Sequence, residues 1–223
     1  MMVRPTYQEP LDGAVFDMLA GCEDFECIRR VHALTKGNTR FNFPHFFLIG
    51  WQKCATTSIN LHLRAHPEYL PSVAKESHFF TICRNFPAHH SCMAPNTSHY
   101  IKEFLRSKEA AASRLTKVSA DTSVDYAWRA LLADEIHQLF PWIKIVVVLR
   151  EPISRLISYI RMYTQRNEPV KGCLEGRSMY DCLLYHLGEL CRVLFSFGSF
   201  WSFYISSVLK YKICCTVLCC AVL

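Results

Sequence analysis

Lys53, Thr56, Thr57 and Ser58 follow directly on the apolar run Phe46–Gly50, in the stretch FFLIGWQKCATTS. The run has the length and aromatic content of a buried strand, and INLHLRAHPEYL beyond it reads as a helix broken at Pro67. In such a strand–loop–helix the first helical N–H groups have no intrahelical acceptor and can face an anion. A loop lysine adds a full positive charge, and the hydroxyls add donors. Phosphate or sulfate would fit. The plainer alternative is a buried strand entering a helix with a threonine N-cap. A Walker A loop is not matched, because Lys53 stands three residues after Gly50 and precedes Ala55-Thr56-Thr57 where GxxxxGK[ST] is required.

Two further groups have the right chemistry. Arg150 ends the apolar run Ile143–Leu149, with Ser158 two helical turns beyond it. A guanidinium there is either a solvated strand-end charge or a bidentate phosphate ligand. Lys75 and Glu76 precede two aromatics in KESHFF. This is either a surface turn entering the core or a general base, a carboxylate at a cleft edge whose pKa apolar rings can tune. Asp121 and Ser123 in ADTSVDY fall at an expected strand end, where side chains reach the ligand crevice of an open α/β sheet or simply make an Asx or Ser turn.

The elements that must position these groups can be read in outline. Residues 17–33 suggest one or two short helices, 69–73 a short strand, 100–114 a helix, and 128–140 an amphipathic helix stopped by Pro141. Ile143–Leu149 has the β-branched composition of a central parallel strand. Pro152 suits an early position in the helix that follows. His89, His90 and His99 lack carboxylate or cysteine partners at ligand spacing, so no metal site is expected.

The loop resembles the 5′-phosphosulfate loop of sulfotransferases, which use 3′-phosphoadenosine 5′-phosphosulfate (PAPS) as donor. That family shows P-K-[small]-G-T-T-[ST], and here Gln52 replaces the proline and Ala55 the glycine. REPISRLIS resembles the family's R-x-P-x-x-R-x-x-S at Arg150, Pro152, Arg155 and Ser158. KESHFF resembles the K-E-x-x-[FWY]-[FW] segment of glycan sulfotransferases of the chondroitin, dermatan and heparan types. Asp121, Ser123 and Tyr126 resemble [ED]-x-[ST]-P-x-Y, with Val124 for the proline.

The resemblance implies an α/β, P-loop NTPase-like sandwich with a central parallel sheet flanked by helices. It implies sulfuryl transfer to a carbohydrate hydroxyl, with Lys53 and Glu76 catalytic. Gln52, Lys53, Cys54, Ala55, Thr56, Thr57, Ser58, Arg150 and Ser158 would bind PAPS, and Lys75, Asp121 and Ser123 would meet an acidic, glycosaminoglycan-like acceptor. It also implies the Golgi lumen and no metal. Two rivals stand beside it: an inactive, truncated sulfotransferase fold that only binds, and a nucleotide kinase with Asp121 holding magnesium.

Composition is compatible with this. The chain of 223 residues is 51% hydrophobic and 20% charged, enough for one α/β domain, and its net charge of +6 favours anionic partners without naming them. Residues 1–42 form a lead-in without an apolar run long enough for a signal or anchor, 43–187 the PAPS-binding domain, and 188–223 an atypical apolar tail. Within that tail 190–209 is long and apolar enough to touch or span a membrane, but the family has no counterpart, so a C-terminally incomplete domain is expected. Of twelve cysteines, Cys22/Cys27 and Cys83/Cys92 are spaced either for short-loop disulfides or as free thiols. Asn96-Thr97-Ser98 is a glycosylation sequon, relevant in a secretory compartment. The basic stretch 161–177 is either a glycan surface or a solvated face.

Overall fold

The computed structural model describes residues 9–35, 41–72, 75–89, 92, 94–105, 107–128, 130–166 and 215–220. Its centre is an open parallel sheet. β1 (Phe46–Gly50) lies between β2 (Ala120–Asp121) and β3 (Lys144–Arg150), and β4 (Cys215–Cys220) pairs in parallel with the far side of β3. The class is α/β, as the resemblance implies. β4 falls in the stretch read from sequence as an atypical tail and occupies a sheet position instead.

Period-two alternation decides what each strand buries. Phe47 and Ile49 of β1, with Ile145 and Val147 of β3, enter the larger core. Leu48 and Val148 point to the opposite face and pack with Cys54, Ile59 and Leu63. Residues Ile59 and Leu63 belong to α3 (Thr56–Arg64), so the helix that follows the loop is seated on the strand that precedes it. Both faces of the central strands are covered, which is why they read as unbroken apolar runs.

The larger core is rich in aromatics. Phe25 of α2 (Phe25–Leu34) stacks on Phe80 at 5.6 Å and meets Phe79, Tyr100 and Phe140 edge-on at 5.5, 5.7 and 5.3 Å. Edge-to-face geometry suits the ring quadrupoles at these spacings. Phe79 and Phe80 open a single π-helical turn, Phe79–Cys83. The two aromatics after Glu76 thus anchor its segment to the core. α1 (Gly13–Ala20) and α2 are N-capped by Asp12 and Asp24, and the Cys22–Cys27 disulfide joins the connection between them to the start of α2. A second disulfide links Cys83 and Cys92.

Several expected elements differ in extent. The helix expected at 100–114 is two, α4 (Thr97–Leu105) and α5 (Lys108–Ser113), because Ser107 caps a new start by accepting from the Ala110 N–H. The strand expected at 69–73 is reduced to one bridge between Tyr69 and Val118. The expected helix at 128–140 is α6 (Ala130–Leu139), preceded by a 3₁₀ turn at Val124–Trp128. α7 (Pro152–Gln165) begins at its proline, with the Glu151 carboxylate accepting from the N–H groups of Ile153 and Ser154. The apolar run 190–209 lies outside the described residues, and among those described no helix is long and apolar enough to cross a membrane.

Gly50 is required where β1 meets β3. A Cβ there would stand 2.4 Å from the Val148 carbonyl oxygen, which is backbone and cannot turn aside. Gly50→Ala is therefore expected to lower stability by about 1–3 kcal/mol, the range for overpacking a filled site. Urea unfolding measures it, and an unchanged midpoint would show that β1 and β3 do not approach this closely.

Candidate active site

The parallel strands place their C-terminal ends on one edge of the sheet, where α/β crevices form. A cleft of about 550 Å³ opens there. Gln52, Lys53, Ala55, Thr56, Thr57 and Ser58 line it from the loop after β1, and Lys75 and Glu76 from the next connection. Arg150 at the end of β3 and Ser158 on α7 complete the set. Three segments that the sequence offered separately thus meet in one cavity.

The loop after β1 has an unusual backbone. Lys53 and Ala55 both adopt left-handed conformations, with φ of 70° and 67°. For L-residues this costs roughly 1–2 kcal/mol each, the kind of backbone strain that tight loops at functional sites carry. Ala55 stands at the N-cap of α3 and offers no side-chain acceptor, so the first-turn N–H groups remain available to a ligand. Cys54 is the exception within the loop. Its N–H donates to the Trp51 carbonyl at 3.2 Å, its thiol is fully buried against Leu48 and Val148, and it does not line the cleft. The expected donor-binding role for Cys54 is replaced by a packing role, since the turn consumes its amide.

Arg150 reaches across from β3. Its guanidinium donates to the Lys53 carbonyl at 3.1 Å, while Nε is buried with no partner among the described residues. A buried guanidinium donor without an acceptor is costly unless an anion completes the site.

Asp121 and Ser123, expected at the acceptor, lie beneath the cleft. They are 1% and 0% exposed. Asp121 accepts from the Ser77, Tyr126 and Ser123 hydroxyls at 2.8, 2.8 and 2.6 Å and from the Ser123 N–H at 3.0 Å. Ser123 Oγ in turn accepts from the His78 N–H at 3.0 Å. β2 is only two residues long and both are buried, so Asp121 and the turn at Ser123 sit in the core and do not line the cleft. These residues hold the segment that carries Glu76.

Nothing in the residues taken singly announces what that segment adds. Glu76 pairs with Lys75 and with His78, whose Nε2 lies 3.2 Å from Oε2. His78 Nδ1 meets Asp125 at 3.0 Å, and the Thr81 hydroxyl donates to the same carboxylate. His78 and Asp125 stand 47 residues apart, so only the fold brings them together. Val124, Met162, Tyr163 and Arg166 also line the cleft without having been singled out as site residues.

No family model matches the chain. Carbohydrate sulfotransferase 15 of mouse, rat and human is 29% identical over 157 residues, covering 56% of this chain. Over that stretch the chain is similar to carbohydrate sulfotransferases. The match takes in only 28% of the length of those relatives. A solved sulfotransferase from Alicyclobacillus acidocaldarius superposes with a TM-score of 0.48 at 22% identity, covering 79% of this chain and 72% of that one.

Within the cleft, electrostatics fix the states of Glu76 and His78. Burial would raise the Glu76 pKa, but hydrogen bonds from His78 and Lys75 and their charges outweigh it and hold the carboxyl below its ordinary range. Burial would likewise lower the His78 pKa. The bonds and charges of Asp125 and Glu76 prevail and take it from 6.5 to about 10. An imidazolium is thus held between two carboxylates.

Because folding raises the His78 pKa, its contribution is complete below about pH 6.5 and is lost as pH rises through about 10. The lowered Glu76 gives the reverse: its contribution is present above its ordinary pKa and lost as pH falls through the depressed folded value. The wild-type urea midpoint should therefore decline between about pH 6.5 and 10. His78→Gln should start lower near neutrality and decline less. Parallel profiles for the two proteins would show that His78 is not held charged.

Proposed function

We propose that this cleft transfers a sulfuryl group from PAPS to a hydroxyl of a glycosaminoglycan-like carbohydrate. The carrying observation is the convergence of the Gln52–Ser58 loop, Lys75-Glu76 and Arg150 with Ser158 on one cavity. The kinship with carbohydrate sulfotransferases supports the same reading.

The residues present suit such a donor. The N–H groups of the first turn of α3 and the hydroxyls of Thr56, Thr57 and Ser58 would hold the sulfuryl and 5′-phosphate oxygens. Arg150, with its unpartnered Nε, and Ser158 would hold the 3′-phosphate. When bound, PAPS supplies an activated sulfuryl group on a phosphate leaving group.

Glu76 lines the cleft as an ionised carboxylate and takes the acceptor hydroxyl's proton. Lys75 and His78 orient it from either side. Lys53 and the loop amides stabilise negative charge that develops on the transferring and leaving oxygens. Asp121 and Ser123 act through position only, by fixing the backbone at Ser77 and His78. A positively charged cleft suits an acidic glycan. The two disulfides suit an oxidising compartment, and we place the chain's work in the Golgi lumen.

The test is transfer of labelled sulfate from PAPS to chondroitin, dermatan and heparan acceptors. Glu76→Gln should lower turnover about 10²-fold or more while leaving nucleotide affinity near wild type, because the proton acceptor alone is removed. Full turnover by this variant would dismiss Glu76 as the base.

A further inference from the structure

Asn96-Thr97-Ser98 is the only Asn-x-Ser/Thr triplet in the chain, and it lies at the start of α4. Asn96 is exposed. Its Oδ1 accepts from the His99 N–H at 3.0 Å and meets the His99 Nδ1 at 2.9 Å, which makes it the helix N-cap. Its backbone carbonyl accepts from the Tyr100 N–H at 3.0 Å. No hydrogen bond among the described residues engages the amide nitrogen Nδ2. The cap therefore uses the oxygen and leaves the nitrogen toward solvent.

Ser98 is placed differently. Its hydroxyl is buried and has no partner among the described residues. The third residue of a sequon must present that hydroxyl to the transferring enzyme, yet the folded helix hides it. Tyr100 and Ile101, two and three residues on, are fully buried in the core, so α4 cannot lift away without disturbing the aromatic cluster.

We propose that Asn96 carries an N-linked glycan, added before α4 folds and kept on the helix cap afterwards. This rests on the lumenal placement given above. In the reaction the Asn96 Nδ2 forms a bond to the anomeric carbon of a lipid-pyrophosphate-linked oligosaccharide. The sugar–oxygen bond to the pyrophosphate breaks, the lipid pyrophosphate leaves with the electron pair, and one amide proton passes to a base of the transferring enzyme. Oδ1 is untouched, so the native cap survives the modification. The glycan would then stand four residues beyond the Cys83–Cys92 disulfide, on an exposed corner.

The full chain, secreted from eukaryotic cells behind a cleavable leader, tests this. Wild type should run faster on a gel after treatment with a peptide:N-glycanase. Asn96→Asp and Ser98→Ala should already run at that position and not shift. Asn96→Asp should keep the wild-type melting temperature, since the carboxylate preserves the cap. A secreted wild type that does not shift although Cys22–Cys27 and Cys83–Cys92 are oxidised would overturn the proposal alone. Free thiols at those four cysteines would instead overturn the lumenal reading beneath it. The timing has its own arm. Bacterially made, oxidised and folded chain should not be modified by solubilised oligosaccharyltransferase, whereas the reduced and unfolded chain should be. Equal modification of both would overturn the order of events.

Discussion

The parallel pairing of β1 with β3 is the constraint on which the site depends. Gly50 sits opposite Val148 at a distance no side chain would permit, and the two strands end side by side. Only then can Arg150 donate to the carbonyl of Lys53, 97 residues earlier in the chain. That bond ties the two candidate anion-binding segments into a single surface. It also fixes the peptide on which the left-handed turn at Lys53 and Ala55 is built.

A second hub lies one layer below. Asp121 is buried and accepts three hydroxyl bonds and one amide bond, so burial raises its pKa while those bonds oppose the shift. Every one of its partners belongs either to the Glu76 segment or to the turn after β2. A carboxylate spent on internal bonds is a support for the cleft, and it is no longer free to meet a substrate or an ion. The hydroxyls at Ser77, Ser123 and Tyr126 have the same role, and Phe79 and Phe80 add the apolar anchor. Glu76 is thus held from below by polar bonds and from behind by rings.

Much of this was legible in the residues. The apolar runs gave β1 and β3, since fully buried parallel strands cannot hide their composition. The loop lysine and hydroxyls pointed to an anion site, and the resemblance added Glu76 as a base and Arg150 and Ser158 as phosphate ligands; all four line one cleft. What could not be read was depth. Asp121 and Ser123 look like strand-end ligands, yet both are buried and spend their polar atoms on internal bonds. His78 and Asp125 carried no signal because their pairing is non-local, and Cys54 looked like part of the anion loop although its amide closes the preceding turn. Boundaries around α4 and α5 were blurred for a local reason, the Ser107 cap, which looks like any other polar residue in a helical stretch.

The most direct test of the account is equilibrium binding of 3′-phosphoadenosine 5′-phosphate to the purified chain, measured by calorimetry for wild type, Lys53→Ala and Arg150→Ala. If the two strand ends form one anion site, binding is saturable and both variants lose at least about tenfold in affinity, the scale of one charge-assisted hydrogen bond. A folded wild type that does not bind, or variants that bind as tightly as it does, would contradict the claim that these strands assemble a nucleotide site.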